Sequence, residues 1–288
     1  MSIEPLPIIF FHKGNQDFIK YSLLKAKEEN PDSRVILLGD ESNRWLGEEY
    51  DVEWHNYTLY KDRAQNELVK CYKHMSTNPA HYELICIARW FFTYDFVMMN
   101  SIDSAFIADT DVLLFCDVAK QKEKHFKNYR CTLTNNISAG ISFINDVSVL
   151  GEYCQFVLDS YSGKDKFHFD KAKSHYECLK GNGKPGGVAD LTWWGLMKQK
   201  NPGEYGETTF VTNEMTTFDH CLGAIYGYES ESGIKKIKYK EVDGKLIPFC
   251  KHLRLQKDVR FNCLHFQGVS GKPMIEKIYN KCRSENNG

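Results

Sequence analysis

Short, wholly apolar segments alternate with amphipathic ones at the start of the chain. Residues 7–11 and 34–40 are apolar runs of the kind that forms strands covered on both faces. Between them, residues 16–30 place apolar side chains at helical spacing, and Pro31 ends that pattern. A strand, a helix and a second strand in this order predict a βαβ unit with two parallel strands. We therefore expect ligands at the carboxyl ends of these strands.

The same alternation continues along the chain and indicates an α/β fold, with a mixed Rossmann-type sheet flanked by helices. Residues 82–99 have helical spacing and lead into an apolar strand pattern at residues 105–115. Residues 163–185 are polar and rich in Lys, Gly and His, which indicates a loop or lid. The other predicted elements are a strand at 139–145, helices at 147–161 and 191–200, and a late strand at 262–266.

Composition narrows the class of protein. Of the 288 residues, 42% are hydrophobic and 26% are charged, with 20 Gly and 8 Pro, which excludes collagen-like and low-complexity chains. A net charge of -1 argues against general nucleic-acid binding, so any phosphate site must be local. The cysteines form no CxxC pair and the N-terminus has no secretory signal pattern, so we expect a cytoplasmic protein with at most peripheral membrane contact.

Two carboxylates, Asp109 and Asp111, are separated by one residue inside the apolar run at 105–115. If that run is one strand, both side chains point to the same side of it. Two like charges are costly to bury together unless a cation neutralises them, and oxygen ligands favour Mg²⁺ or Mn²⁺ with substrate phosphates completing the shell. The pattern predicts a diphosphate-metal site, with two solvated aspartates at a strand end as the alternative.

A second candidate begins at His265, which leaves the late apolar strand just before a glycine-rich turn. A histidine there can give a metal a nitrogen ligand, and Gly268 and Gly271 let backbone N–H groups approach phosphate oxygens. Lys272 adds a positive charge that suits a pyrophosphate leaving group. A P-loop is excluded, because the two glycines are too close together and Lys272 is followed by Pro.

Residues 106–113, 138–145 and 265–273 together resemble the retaining nucleotide-sugar glycosyltransferases related to glycogenin and to bacterial lipopolysaccharide galactosyltransferases. The resemblance implies the GT-A fold. It also implies a nucleotide-sugar donor, such as a UDP- or GDP-sugar, and a glycan or other hydroxyl acceptor.

The resemblance further implies roles for individual side chains. It makes Asp109, Asp111 and His265 the ligands of Mn²⁺ or Mg²⁺, and it brings Lys272 to the diphosphate. The family usually has a donor-contacting arginine one helix before the Asp-x-Asp, and Arg89 occupies that place here. A guanidinium can bridge a donor sugar and a phosphate, although a helix-surface arginine is an equally simple interpretation.

Asp190 follows a Gly-Gly turn and stands at the start of a predicted helix. A helix cap explains that position. Glycosyl transfer, however, needs a carboxylate near the reacting carbon, either as a base or to orient the donor sugar. Asp190 is the candidate for this role, and if it acts as a base the reaction inverts configuration.

Loop residues after the first two strands lie where a nucleotide is expected. His12, Gly14 and Asp40 are the candidates there for base or ribose contacts, and Gly268 is a candidate on the late turn. The basic run Lys235–Lys240 either contacts an anionic membrane or acceptor, or is the charged face of a strand or hairpin.

The combined expectation is a metal-dependent glycosyltransferase with a single GT-A-like domain over residues 1–288. Residues 1–120 would form the nucleotide-binding half, and residues 121–288 would bind the acceptor and complete the metal site. Retention is favoured, with inversion as the alternative. A sugar nucleotidyltransferase is a second class, although loop 12–15 lacks a phosphate cradle rich in Gly and Arg. A carbohydrate-binding protein that lost turnover is a third.

Overall fold

A computed structural model describes residues 3–268 and 271–284. The helices are α1 (Ile19–Glu29), α2 (Trp45–Tyr50), α3 (Val69–Cys71), α4 (Ala80–Met99), α5 (Val118–Gln121), α6 (Ser148–Ser162), α7 (Lys166–Gly181), α8 (Asp190–Lys200) and α9 (Pro273–Ser284). The strands are β1 (Ile8–Phe11), β2 (Val35–Gly39), β3 (Glu53–Asn56), β4 (Ala105–Asp109), β5 (Val112–Leu114), β6 (Cys131–Leu133), β7 (Ile141–Ile144), β8 (Tyr205–Glu207), β9 (Thr216–Thr217), β10 (Ser230–Glu231), β11 (Ile234–Lys235), β12 (Lys238–Val242), β13 (Lys245–His252), β14 (Lys257–Phe261) and β15 (Cys263–His265). In these two ranges, every helix is too short or too polar to cross a membrane.

The central sheet is mixed and has the strand order β3-β2-β1-β4-β7-β6-β8. Strand β1 pairs in parallel with β2 and with β4, so the predicted βαβ unit is confirmed. Strand β7 runs antiparallel to β4. The carboxyl ends of β1, β2 and β4 meet at one edge of the sheet, which is the edge where ligands were expected.

Helices cover both faces of this sheet, which explains why the first strands are apolar throughout. Ile8 and Phe10 of β1 pack in a cluster with Leu23 of α1. Ile9, between them, points to the opposite face and packs in a cluster with Phe91 of α4. Successive side chains of a strand point to opposite faces, so a strand covered on both sides must be apolar at every position.

The apolar run at 105–115 is two strands and not one, which corrects the expectation for the Asp-x-Asp motif. Strand β4 ends at Asp109, Thr110 and Asp111 form a turn, and β5 leaves the central sheet. Strand β5 pairs antiparallel with β15, where Val112 lies opposite His265. The backbone N–H of Phe266 donates to the carbonyl of Asp111 at 2.9 Å. This pairing brings the late strand to the two aspartates.

The segment at 163–185 is mostly helix, so the prediction of a loop or lid there was wrong. Its helix, α7, buries Ala172, and Phe169 and Tyr176 pack against the same hydrophobic cluster. These three residues are three and four positions apart, the spacing of one helical face. The Lys and His residues between them lie on the other faces and obscured the pattern.

The basic run Lys235–Lys240 lies in β11, β12 and the link between them. Its lysines do not form one charged face, because Lys235 is buried and pairs with Asp219. The others form ion pairs with Glu229 or with Asp258. The interpretation as part of a hairpin therefore fits the structure better than a free cationic surface.

Candidate functional site

The turn after β4 and the end of β15 bring three of the predicted site residues together. One ligand atom from each of Asp109, Asp111 and His265 lies within 4.8 Å of the others. Nε2 of His265 is 3.2 Å from Oδ1 of Asp111 and 3.9 Å from Oδ2 of Asp109. Metal-ligand bonds of about 2.1 Å separate ligands of an octahedral ion by about 3 to 4 Å. The spacing and the oxygen and nitrogen donors fit Mn²⁺ or Mg²⁺.

A hydrogen bond at Nδ1 of His265 orients the ring so that Nε2 faces the aspartates. Nδ1 of His265 lies 2.5 Å from the carbonyl oxygen of His220. A carbonyl oxygen only accepts, so Nδ1 carries the hydrogen and donates it. In the neutral ring Nε2 then has its lone pair directed toward the carboxylates, which is the arrangement found behind metal-bound histidines.

The electrostatics of the cluster favour a cation. Burial lowers the pKa of His265, but the hydrogen bond and charge of Asp111 and the charge of Asp109 outweigh burial and raise it to about 9. Burial raises the pKa of Asp111, and the contacts with His265 and Lys272 outweigh it, so that pKa is lowered. The carboxylate of Asp111 thus stays charged in a mostly buried place, next to the carboxyl group of Asp109. A divalent ion is the usual way to neutralise such a pair.

Gly140 has no side chain, and the carboxylate of Asp109 fills the space that a side chain would take. The backbone N–H of Asp109 donates to the carbonyl of Gly140 at 2.7 Å, which holds the start of β7 against the end of β4. A Cβ atom on Gly140 would stand only 2.3 Å from Oδ2 of Asp109. Any side chain at this position would therefore displace the carboxylate.

Arg89 points inward from α4 and joins two carboxylates, so it is not a helix-surface arginine. Its Nη1 donates to Oδ1 of Asp109 at 2.5 Å, and its Nη2 donates to Oδ2 of Asp190 at 2.7 Å. Burial lowers the pKa of Arg89, but these two charges outweigh it and raise the pKa. Arg89 is therefore a fixed positive charge directly behind the metal-ligand candidate Asp109.

Both oxygens of the Asp190 carboxylate already accept hydrogen bonds. Besides Arg89, Nε1 of Trp90 donates to Oδ2 at 3.0 Å, and the N–H of Leu191 donates to Oδ1 at 2.8 Å. The helix cap is Ala189, and Asp190 is the first residue of α8. This geometry suits a residue that positions Arg89.

A cleft of about 790 Å³ opens above the cluster, within the size range of small-ligand sites. Three groups of residues line it. The ends of the early strands contribute Phe11, His12, Lys13, Gly14 and Asp40. The turn after β4 and the late segment contribute Asp109, Thr110, Asp111, His265, Gln267, Gly268 and Lys272. One face of α4 contributes His81, Tyr82, Ile85, Cys86 and Arg89.

The predicted nucleotide edge lies in this cleft, but Asp40 is engaged by the protein. Its Oδ2 accepts the N–H of Gly14 at 2.7 Å, and its Oδ1 accepts the N–H of Ser42 at 3.0 Å. Burial raises the pKa of Asp40, and these bonds outweigh burial and lower it. Gly14 has a φ of +96°, which favours glycine. Asp40 therefore holds the loop that contains His12 and Gly14.

His12 lies over the turn that contains the second aspartate. Its Nδ1 is 2.6 Å from Oγ1 of Thr110, and burial lowers the pKa of His12. Lys272 places Nζ 3.7 Å from Oδ2 of Asp111 and lines the cleft with Gly268. The predicted phosphate-binding turn also includes residues 269–270, which lie outside the described residues.

Sequence reasoning missed the cleft face of α4 apart from Arg89. His81, Tyr82, Ile85 and Cys86 share that face, and their three- and four-residue spacing toward Arg89 was a usable signal. Burial, with the charge of Asp190, raises the pKa of Cys86 to about 12. That thiol is therefore neutral at physiological pH and a poor nucleophile.

The comparisons with known proteins give a fold and no close relative. No family model and no curated protein matches the sequence. The structure is similar to that of mouse xyloside xylosyltransferase 1 in its apo form, with a TM-score of 0.50 and 10% identity over 70% of this chain and 84% of that chain. It also matches the galactosyltransferase LgtC in complex with donor and acceptor sugar analogues, with a TM-score of 0.45 and 11% identity over 96% of both chains.

The chain has a GT-A-like α/β fold. The mixed sheet flanked by helices and the likeness to the xylosyltransferase confirm the fold class expected from the sequence. The identity of 10% is too low for the likeness to extend beyond the fold.

Proposed function

We propose that this protein is a metal-dependent glycosyltransferase that moves a sugar from a nucleotide-diphosphate sugar to a hydroxyl group, most readily that of a glycan. The observation behind the proposal is the convergence of Asp109, Asp111 and His265 at the edge of a GT-A-like sheet, beside Lys272 in a large cleft. Ligands of open α/β sheets bind at this edge.

The donor diphosphate would lie between the metal cluster and Lys272. Asp109, Asp111 and His265 would hold Mn²⁺ or Mg²⁺, and that ion neutralises charge on the leaving diphosphate. Lys272 adds a second positive charge from the late turn. The loop with His12 and Gly14 would receive the nucleoside of a UDP- or GDP-sugar.

The hydrogen bonds of the site support retention of configuration. Among the described residues, the carboxylates that line the cleft are Asp40, Asp109 and Asp111, and each faces a protein donor or the metal position. None is left as a base for the acceptor. In our proposal the acceptor oxygen attacks from the side of the leaving diphosphate, the bond from the anomeric carbon to that diphosphate breaks, and the acceptor proton passes to a diphosphate oxygen.

Inversion with Asp190 as the base is the alternative. Arg89 would have to release Asp190 for it to accept a proton. We propose instead that Asp190 positions Arg89. The anomeric configuration of the product, read from its NMR coupling constants, distinguishes the two reactions.

The cellular setting is also a proposal. The cysteine usage supports a reducing compartment, so we place the protein in the cytoplasm. The ion pairs of the lysines at 235–240 leave little free cationic surface there, which supports at most peripheral membrane contact.

We also propose that the chain forms a single domain. Residues 1–120 would lie on the nucleotide side, and residues 121–288 would complete the site.

The test is release of UDP or GDP from a panel of nucleotide-sugars with MnCl₂ and glycan acceptors. We expect release that EDTA abolishes. The variant Asp111→Ala should lose metal-dependent donor binding and turnover, and it should also lose part of the stability that the contact with His265 contributes, so both assays use folded protein. Asp258→Ala, which removes the half-buried partner of Lys240 outside the cleft lining, is the matched control and should keep activity.

The other outcomes identify the other classes. Release of pyrophosphate from nucleoside triphosphate with a sugar phosphate would identify a nucleotidyltransferase. Donor binding without any turnover would identify a carbohydrate-binding protein. Activity of Asp111→Ala equal to wild type would contradict the metal site.

A further inference from the structure

One short segment, residues 219–222, binds every polar group of His265 except Nε2. The backbone N–H of His265 donates to Oδ2 of Asp219 at 3.1 Å, and Nδ1 donates to the carbonyl of His220 at 2.5 Å. The N–H of Leu222 donates to the carbonyl of His265 at 3.0 Å. The backbone and the ring of His265 are thus held by three residues of one segment.

The strand pairing explains why this segment is needed. Among the described residues, β15 pairs with β5 alone. The backbone groups of His265 on the far side of β15 have no strand to pair with, yet the residue is only 3% exposed. Buried backbone groups need partners, and the 219–222 segment supplies them.

Lys235 anchors the 219–222 segment from behind. Its Nζ donates to Oδ1 of Asp219 at 2.9 Å and to the carbonyl of Cys221 at 2.6 Å. Its own backbone N–H donates to the carbonyl of Leu222 at 2.9 Å. Three of the four residues of the segment are therefore tied to Lys235.

The ion pair of Asp219 and Lys235 is deeply buried. The side chains are 0% and 4% exposed, whereas those of Lys240 on β12 and Asp258 on β14 are 49% and 29% exposed. A buried ion pair adds little to stability compared with apolar side chains, because both charges lose their water. What this pair provides is a fixed geometry, since Asp219 binds His265 and Lys235 at the same time.

We propose that the buried pair Asp219–Lys235 positions His265 as a metal ligand. This inference rests on the metal site of the proposed function. Asp219 accepts from the backbone of His265, on the side away from Nε2. Without the ammonium group, the carbonyl of Cys221 and the carboxylate of Asp219 lose their anchor, the segment shifts, and the ring of His265 leaves its alignment with Asp109 and Asp111. Residues behind a metal ligand typically change metal affinity ten- to hundredfold when removed.

The experiment is calorimetric titration with MnCl₂ alone, without donor, of wild type and of Lys235→Met, which keeps the length of the side chain and removes its charge. We expect the Kd for Mn²⁺ to rise at least tenfold. Lys240→Met is the matched control, because it makes the same substitution in the more exposed pair between β12 and β14, and its Kd should equal that of wild type. All titrations are run well below the thermal midpoint of each variant, so that only folded protein is measured.

A second variant keeps the test decisive if Lys235→Met does not fold. The double variant Asp219→Asn with Lys235→Met removes both buried charges together and keeps a side-chain oxygen that can accept from His265. It also lacks the anchor on Cys221, so its Kd should rise at least tenfold as well. A rise of less than tenfold in a folded variant would overturn the proposal, because a merely structural pair leaves the affinity of the folded protein unchanged.

Turnover gives a further readout. If positioning is the defect, saturating MnCl₂ should restore most of kcat in the folded variants, whereas excess metal does not correct a general structural defect. Absence of Mn²⁺ binding by wild type would overturn the proposed metal site and this inference together. Tight binding by wild type and by the folded variants alike would overturn only the positioning role.

Discussion

The charge of His265 depends on two opposing effects at one side chain. Burial disfavours the protonated ring, and the carboxylates of Asp109 and Asp111 favour it. The carboxylates prevail, so in the absence of metal a proton takes the place that a cation would occupy. Metal binding and protonation of His265 are therefore alternatives at the same nitrogen.

This competition predicts a pH dependence of folding stability. The pKa of His265 is about 9 in the folded protein and 6.5 as the ordinary value. A raised pKa stabilises the fold fully below pH 6.5, and the contribution of about 3 kcal/mol is lost as the pH rises through 9. Urea unfolding in EDTA between pH 6 and 10 measures it. Mn²⁺ affinity should change in the opposite direction and increase with pH over this range.

The control for this prediction is His265→Gln, which should lack this decrease in stability over the same range. The lowered pKa of His220, about 4, affects stability only below pH 6.5, and the raised pKa of buried thiols such as Cys86, about 12, affects both proteins alike at the alkaline end, so the difference between wild type and variant reports His265. Equal slopes for wild type and His265→Gln would show that His265 does not carry the proton.

At the scale of elements, α4 has two functions on different faces. Ile87 and Phe91 pack in the core below the central sheet, while Tyr82 and Arg89 face the cleft. The helix thereby connects the core to the cleft, and the way it packs against the core determines which of its side chains line the cleft. Tyr82 is 53% exposed and lines the cleft, so its ring is free to pack against a ligand.

We expect Tyr82→Ala to weaken substrate binding with little effect on the fold. An aromatic ring that covers a ligand contributes about 1 kcal/mol, so the KM for donor or acceptor should rise about fivefold. The unfolding free energy should change by less than about 0.5 kcal/mol, because the ring is exposed. Tyr226→Ala, at a 70% exposed tyrosine outside the cleft lining, is the control. Unchanged KM values for both substrates would remove Tyr82 from the site.

The sequence predicted the apolar pattern inside most strands and helices, but it did not predict where one element ends and the next begins. The strands at 7–11 and 34–40 are apolar because both faces are covered, so their pattern was clear. The helix at 166–181 has one narrow apolar face, at Phe169, Ala172 and Tyr176, and its composition hid it. In the run at 105–115 the one signal for a turn is the Asp109-Thr110-Asp111 sequence itself, since Asp is common in turns, and the equally apolar halves on either side favoured a single strand.

At the scale of the whole molecule, Arg89 joins parts of the chain that are far apart in sequence. It lies on α4 and binds Asp109 at the end of β4 and Asp190 at the start of α8. The three side chains are less than a quarter exposed. Loss of either carboxylate would leave the buried guanidinium of Arg89 with one ion-pair partner fewer and little water to replace it.

Asp190→Ala should therefore destabilise the protein by about 3 kcal/mol, the usual result of breaking a buried ion pair. Arg34→Ala is the control, because its pair with Glu53 is exposed and contributes less than about 1 kcal/mol. Urea denaturation of both variants measures the difference. Equal, small losses would mean that Asp190 is not part of the network that supports Arg89.

The sequence alone determined the βαβ start, the edge of the sheet where we expect ligands, and the residue types suited to a metal and a diphosphate. These follow from local periodicity and from the chemistry of single side chains. Only the tertiary structure decided that β5 leaves the central sheet to meet β15, that Arg89 and Asp190 bind each other, and that the 219–222 segment holds His265. Those contacts join residues up to about 150 positions apart, and no local pattern encodes which distant partner a buried polar group will find.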